Sequence, residues 1–192
     1  MEIRILQEEE LANAAGLSRY VFDNCVKYRM EFEQTTRYVE DYLTAENLVK
    51  LYKEEKLIVW GVFEQEQMVG VSGMQIDGMI TMLYILPQCF RRGYGCGLLR
   101  EMRRYAKEIL GKEIITVNAT PAWISTYFTK QGFAFVNKQQ DMRVPYVTLY
   151  SKTDVPATMQ KKHVSGKVIA GAIVGCFLFA TVACFAFLLW YI

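Results

Sequence analysis

"PQCFRRGYGCGLL", residues 87–99, places three glycines at alternate positions, Gly93, Gly95 and Gly97, directly after Arg91 and Arg92. The apolar run MITMLYIL, residues 79–86, precedes it. Behind it, Leu98, Leu99, Met102, Tyr105, Ala106, Ile109 and Leu110 recur at helical spacing. The stretch therefore reads strand, loop, helix. Glycine lacks a Cβ and lets backbone N–H groups come close to a ligand. The first turn of a helix offers N–H groups with no intrahelical partner and a partial positive charge. Together these make an anion site suited to phosphate or pyrophosphate, with the two arginines adding charge. No Gly-Lys-Ser/Thr follows, so this is not a P-loop. The third glycine of a dinucleotide fingerprint would fall at Leu98. A glycine-rich turn with its arginines in solvent is the bland alternative, and the flanking strand and helix weigh against it.

Working outward from this loop, EIRIL (residues 2–6) reads as a strand. Residues 8–28 read as a helix with acidic residues in its first turn. A second helical region spans Thr36–Lys53, with a fresh cap at Thr44. Strands follow at 57–63 and 68–76, joined through EQEQ. Asp77-Gly78 is a hairpin signal leading into the strand 79–86. Beyond the glycine loop and its helix, a strand is expected at 113–118. A helix should run over 121–131, with Pro121 at its first position and Gly132 as its stop. FAFVN and VPYVTLY close the sheet as strands. The order is βααβββαβαββ, a mixed α/β fold around a largely antiparallel sheet.

The chain has 192 residues, 52% hydrophobic and 22% charged, enough for one well-cored domain. The net charge is +2, and no basic patch is interleaved with aromatics, which argues against a nucleic-acid partner. The five cysteines, Cys25, Cys89, Cys96, Cys176 and Cys184, show no CxxC spacing and read as reduced thiols. With His163 as the sole histidine, no metal site of ordinary pattern is expected.

The C-terminal run, residues 168–192, holds no charged residue. As a helix it would extend roughly 37 Å at about 1.5 Å per residue, against a hydrocarbon core of about 30 Å. It is expected to cross a lipid bilayer once. Lys161, Lys162 and Lys167 before it place the N-terminal domain in the cytoplasm, with Trp190 and Tyr191 at the far interface. Gly171 and Gly175 form one GxxxG that could pair two such helices into a homodimer. Residues 153–167 lack apolar periodicity and read as a polar tether with an r.m.s. length of about 20 Å. The organisation is thus 1–152 domain, 153–167 tether and 168–192 membrane helix.

Two segments resemble the GNAT superfamily of acetyl-CoA-dependent N-acetyltransferases. One is the loop itself, with Pro87, Gly93, Gly95, Leu98 and Leu99 in the family's acyl-CoA pyrophosphate pattern. The other is ITVNATPAWISTYFTKQGF, carrying Asn118, Pro121, Ala122, Phe128, Gly132 and Phe133. The element order fits the family up to about Lys152. The resemblance implies acetyl-CoA as cosubstrate, lying where the strands 79–86 and 113–118 splay apart. Its pantetheine arm would pair with Leu83, Tyr84 and Ile85, and the Ile85 backbone N–H would hold the oxyanion. Its pyrophosphate would rest on the backbone of Arg91, Arg92, Gly93, Tyr94, Gly95 and Cys96, with Asn118 and Phe128 completing the site. A primary amine acceptor would attack directly, without a covalent enzyme intermediate.

Two positions depart from the family pattern. Phe90 stands where Arg or Gln is usual. Phe128 stands where a tyrosine often protonates the leaving thiolate, and phenylalanine has no proton to give; Tyr127 would point about 100° away around the helix. No carboxylate lies on the strand 79–86. Glu64, Glu66, Asp77 and Glu113 are the nearby acids, each more naturally a solvated turn residue. The resemblance implies an acceptor pocket built by the first two helices and the loops near Tyr146, which carry no motif, and Tyr84 either lines that pocket or packs on the sheet. Cys89 and Cys96 have no activating base and read as structural. The competing reading is a CoA-binding or protein-interaction module that kept the fold and lost the chemistry.

Overall fold

Four strands form an antiparallel meander: β1 (Glu2–Ile5), β2 (Leu57–Glu64), β3 (Gln67–Gln75) and β4 (Met79–Ile85). These and the elements below come from a computed structural model that describes residues 1–30, 33–136 and 146–154. The β2–β3 turn holds Gln65 and Glu66 in the left-handed region, at φ 50° and 65°. At the β3–β4 turn Gly78 takes φ 97°, and the Asp77 carboxylate accepts the Met79 N–H at 2.9 Å. This is the local hydrogen bond that makes Asp-Gly a turn former.

Helices α1 (Leu11–Val21), α2 (Glu33–Tyr42) and α3 (Ala45–Lys53) cover one face of the sheet. There Leu11, Ala14 and Leu48 pack against Val59, Val71 and Met82. The Thr44 hydroxyl caps α3 by accepting the Asn47 N–H at 3.2 Å, as its sequence suggests. Helices α4 (Tyr94–Glu108) and α5 (Ser125–Lys130) cover the other face, where Leu98, Leu99 and Met102 meet Val62, Ile80 and Ile115. Cover on both faces explains why β2 is an almost continuous apolar run. The strands β5 (Ile114–Ala119), β6 (Ala134–Phe135) and β7 (Val147–Lys152) complete a seven-stranded sheet of order β1-β2-β3-β4-β5-β7-β6. Among the described strands, β4 and β5 are its one parallel pair.

That pair forms the site. Gly73 lies opposite Met82 but Met74 lies opposite Ile80, so Thr81 is an extra, bulged residue in β4. A bulge bends its strand and sharpens the local twist. The β4–β5 pairing is correspondingly short, Met79 with Thr116 and Ile80 with Val117. Beyond Ile80 the two strands part.

Several expectations need correction. The helix expected over 8–28 is segmented: a 3-10 turn at Glu8–Glu10, α1, a π turn at Phe22–Val26 and another 3-10 turn at Lys27–Arg29. Pro121 is not the first residue of an α-helix. It stands extended ahead of a 3-10 turn, Ala122–Ile124, and α5 starts only at Ser125. Ile109, read as part of the buried face of α4, is 64% exposed because the helix ends at Glu108. The last described strands are Ala134–Phe135 and Val147–Lys152, the second running two residues beyond the expected end at 150, while positions 137 and 144–145 of the expected strands lie outside the described residues. The tether from residue 155 onward and the membrane helix 168–192 lie outside the described residues. Among the described residues no helix is long and apolar enough to cross a membrane.

Candidate active site

The three glycines answer three different demands. Gly93 caps α4 at φ 85°, a conformation that side chains resist, with open space where a Cβ would stand. At Gly95 a Cβ would come 2.5 Å from the Tyr127 hydroxyl. At Gly97 it would come 2.6 Å from Cδ1 of Ile3, so the helix lies hard against β1. The first helical hydrogen bond runs from the Gly97 N–H to the Gly93 carbonyl at 2.9 Å. The N–H groups of Tyr94, Gly95 and Cys96 therefore belong to the turn that has no intrahelical acceptor.

Around this turn, Arg91 takes φ 64° and is exposed, and no ion pair holds it among the described residues. Arg92 is held by Glu64, its Nη1 donating to both carboxylate oxygens at 2.9 and 3.1 Å. Tyr94 is buried in the core. Cys96 is half-buried beside Tyr127, and burial raises its pKa. Burial likewise raises the pKa of Cys89, so both thiols are held in the neutral form.

The parted strands leave backbone groups facing the gap. Leu86 N–H donates to the Val69 carbonyl at 2.9 Å, which fixes the phase of the β3–β4 ladder. In an antiparallel pair the hydrogen-bonding direction alternates along the strand. Tyr84 and Met82 thus bond towards β3, opposite Val71 and Gly73. Leu83 and Ile85 point their N–H and C=O groups the other way, into the space that β5 has left.

Two clefts meet there. The first is narrow, about 90 Å³, and is walled by Cys25, Leu83, Phe90, Trp123, Ile124 and Phe128. The second is wider, about 490 Å³, and is walled by Tyr38, Tyr42, Leu43, Gln75, Met79 and Tyr146. Ile80, Thr81, Tyr84, Asn118 and Thr120 line both. Tyr84 packs against the core beneath the helices and also lines both clefts. Its pKa is pushed up by burial and secondarily by Tyr42, whose own pKa burial also raises. Asn118 Oδ1 accepts the Thr148 hydroxyl at 2.9 Å, which orients its amide at the junction. Phe128 is buried and stacked edge-on with Phe133 at 5.3 Å. The ring of Phe133 carries the buried Arg103 guanidinium at 4.9 Å. Tyr127 points away from the cleft, towards Gly95.

None of the four sequence-nominated carboxylates lines either cleft. Glu64 pairs with Arg92, Asp77 binds the turn it starts, Glu66 sits in the β2–β3 turn, and Glu113 lines a separate pocket with Lys107, Lys112 and Lys152. The sequence reading puts the first two helices at the acceptor pocket but does not single out Tyr38, Tyr42, Gln75 or Thr81. Each comes from an element without a motif, and only the fold brings them together.

Solved N-acetyltransferases share this fold. PaiA N-acetyltransferase from Thermoplasma acidophilum, in complex with coenzyme A, is similar with a TM-score of 0.64 at 17% identity, over 79% of this chain and 99% of that one. A GCN5-related N-acetyltransferase from Rhodopseudomonas palustris gives 0.63 at 17% identity, over 79% and 94%. A mutant of the spermidine N-acetyltransferase SpeG from Vibrio cholerae gives 0.54 at 14% identity, over 83% and 95%. No curated protein sequence matches the chain. The family model described as the acetyltransferase (GNAT) domain matches residues 26–149, and the chain belongs to that family. It is an N-acetyltransferase of the GNAT type, with acetyl-CoA as its cosubstrate.

Proposed function

We propose that residues 1–152 transfer the acetyl group of acetyl-CoA directly to a primary amine, in a ternary complex, where the two clefts meet. The observation that carries this reading is the parting of β4 from β5 beside a helix that starts on Gly93. The backbone of Leu83, Tyr84 and Ile85 takes the pantetheine arm as an added strand. The turn Arg91, Arg92, Gly93, Tyr94, Gly95 and Cys96 takes the pyrophosphate. Asn118 and Phe128 wall the thioester end. Ile85 N–H donates to the carbonyl oxygen as charge develops there. The amine nitrogen forms its bond to the carbonyl carbon, and the carbon–sulfur bond breaks. The proton lost by nitrogen passes to water. The thiolate takes one from water, since a thiol of pKa about 8.5 leaves with little help. Phe128 is compatible with that chemistry.

Phe128 and the absence of a carboxylate among the described residues of the lining also favour a second reading, a CoA-binding module without turnover. Thiol release from acetyl-CoA by the purified protein, with the acetylated amine identified by mass, separates the two. Thiol and N-acetyl product appearing together support the transferase. Tight acetyl-CoA binding with no thiol from any amine supports the module.

The charge-free segment 168–192 carries the domain to a membrane as a single span, with residues 153–167 as its tether and the domain in the cytoplasm. The support is the length of the run and Lys161, Lys162 and Lys167 on its domain side. Gly171 and Gly175 offer a face for pairing two spans. Resistance of the protein to alkaline extraction from membranes, lost on deleting 168–192, is the expected result.

A further inference from the structure

The wider cleft says what kind of amine it is built for. Four tyrosines line it, Tyr38 and Tyr42 from α2, Tyr84 from β4 and Tyr146 beside β7. Tyr38 is 69% exposed and Tyr146 38% exposed, which makes the mouth aromatic. Tyr42 and Tyr84 lie deeper, and the rings of Tyr38 and Tyr42 stack 6.4 Å apart along one wall. The remaining polar groups are neutral: the amides of Gln75 and Asn118 and the hydroxyls of Thr81 and Thr120. Among the described residues that line it, none carries a charge of either sign.

Such a lining treats one ammonium and several very differently. A single ammonium is drawn to tyrosine faces and can give its N–H groups to neutral oxygens. It then loses its charge on acetylation. Each further ammonium drawn inside would meet no carboxylate among the described lining residues, and an unpaired buried charge is costly. An apolar or aromatic body, in contrast, gains by leaving water against the rings. A volume of about 490 Å³ accommodates a body of that kind.

We propose that the acceptor is a primary monoamine carried on an apolar or aromatic body, and that polyamines are rejected. This rests on the transferase reading above and narrows its substrate. It sets the chain apart from its structural neighbour SpeG, a spermidine N-acetyltransferase.

The test is kcat/KM for thiol release by the full chain in mild detergent, at saturating acetyl-CoA, with 2-phenylethylamine, hexylamine and spermidine. The first two should exceed spermidine by about tenfold or more. Spermidine equal to or better than both overturns the proposal. Acetyl-CoA binding without thiol from any amine overturns the transferase reading, and the proposal with it. Two variants with unchanged circular dichroism add a second check. Tyr38→Ala should raise KM for 2-phenylethylamine several-fold and leave that for spermidine unchanged. Tyr146→Glu, which adds a carboxylate to the described lining, should shift the ratio towards spermidine by about tenfold. If neither variant moves the ratio, the tyrosine lining does not select the amine and the proposal falls.

Discussion

The narrow cleft and the wide cleft share five residues and one end of the sheet, yet they are built by different means. The proposed donor side, which reaches beyond the narrow cleft, is mainly a backbone construction. Its features are the bulge at Thr81 and the outward-turned groups of Leu83 at the cleft, with the Ile85 groups and the helix opening on Gly93 outside the cleft's own lining. The wide cleft is a side-chain construction, with tyrosines brought from α2, β4 and the start of β7 onto one space. A backbone site suits what every member of a class has in common, which on the proposed reading is a phosphate and an extended arm. A side-chain site can change with each substitution while the fold stays put. The donor should thus be fixed by the fold, and the acceptor by a handful of rings.

That division can be broken where the clefts meet. Thr81→Trp puts an indole into the junction they share and should lower turnover by about a hundredfold or more, with the secondary structure intact by circular dichroism. A small loss would mean that the reacting atoms meet elsewhere. The wall of the narrow cleft can be loosened from behind. Arg103 is 5% exposed; its Nε donates to Ser151 Oγ at 3.2 Å and its Nη2 to the Gln131 carbonyl at 2.5 Å. Arg103→Met leaves both acceptors without that donor and should cost about 2 kcal/mol. By thermal melting, that is a midpoint lower by roughly 4–8 °C.

Two changes sharpen the contrast without touching the wide cleft. Gly93→Val forces a β-branched residue to φ 85°. It should weaken acetyl-CoA by about tenfold in calorimetry while KM for the amine holds. Equal loss on both sides would show that the loop supports the acceptor as well. Glu64→Gln releases Arg92 from its ion pair at the turn that opens α4, the proposed phosphate site. Acetyl-CoA should then bind about twofold to threefold tighter at low salt, an advantage that fades as ionic strength rises.

The same division explains what could be read from the chain alone. A left-handed cap beside a strand end leaves a local trace, Gly93 after Arg91-Arg92, and so the loop, its helix and the meander before it are visible in sequence. Asp77-Gly78 and Thr44 are legible for the same reason: each satisfies a turn or cap within three residues. The wide cleft leaves a fainter trace: the first two helices and the chain near Tyr146 are expected around the acceptor, but no motif singles out Tyr38, Gln75 or Thr81. The break in the first helix was equally hidden. Nothing in FDNCV forbids an α-helix, and the π turn there brings Cys25 and Val26 to the narrow cleft. Pro121 misled in the other direction, since a helix-initiating residue also serves as the extended lead into a short 3-10 turn.

The central claim is that acetyl passes straight from one cleft to the other, with no stop on the protein. Initial velocities of thiol release, measured while acetyl-CoA and 2-phenylethylamine are both varied, test it most directly. Intersecting double-reciprocal lines are expected, because both substrates must be bound at once. Parallel lines would mean that an acetyl group rests on the enzyme between two half-reactions, and they would contradict the account.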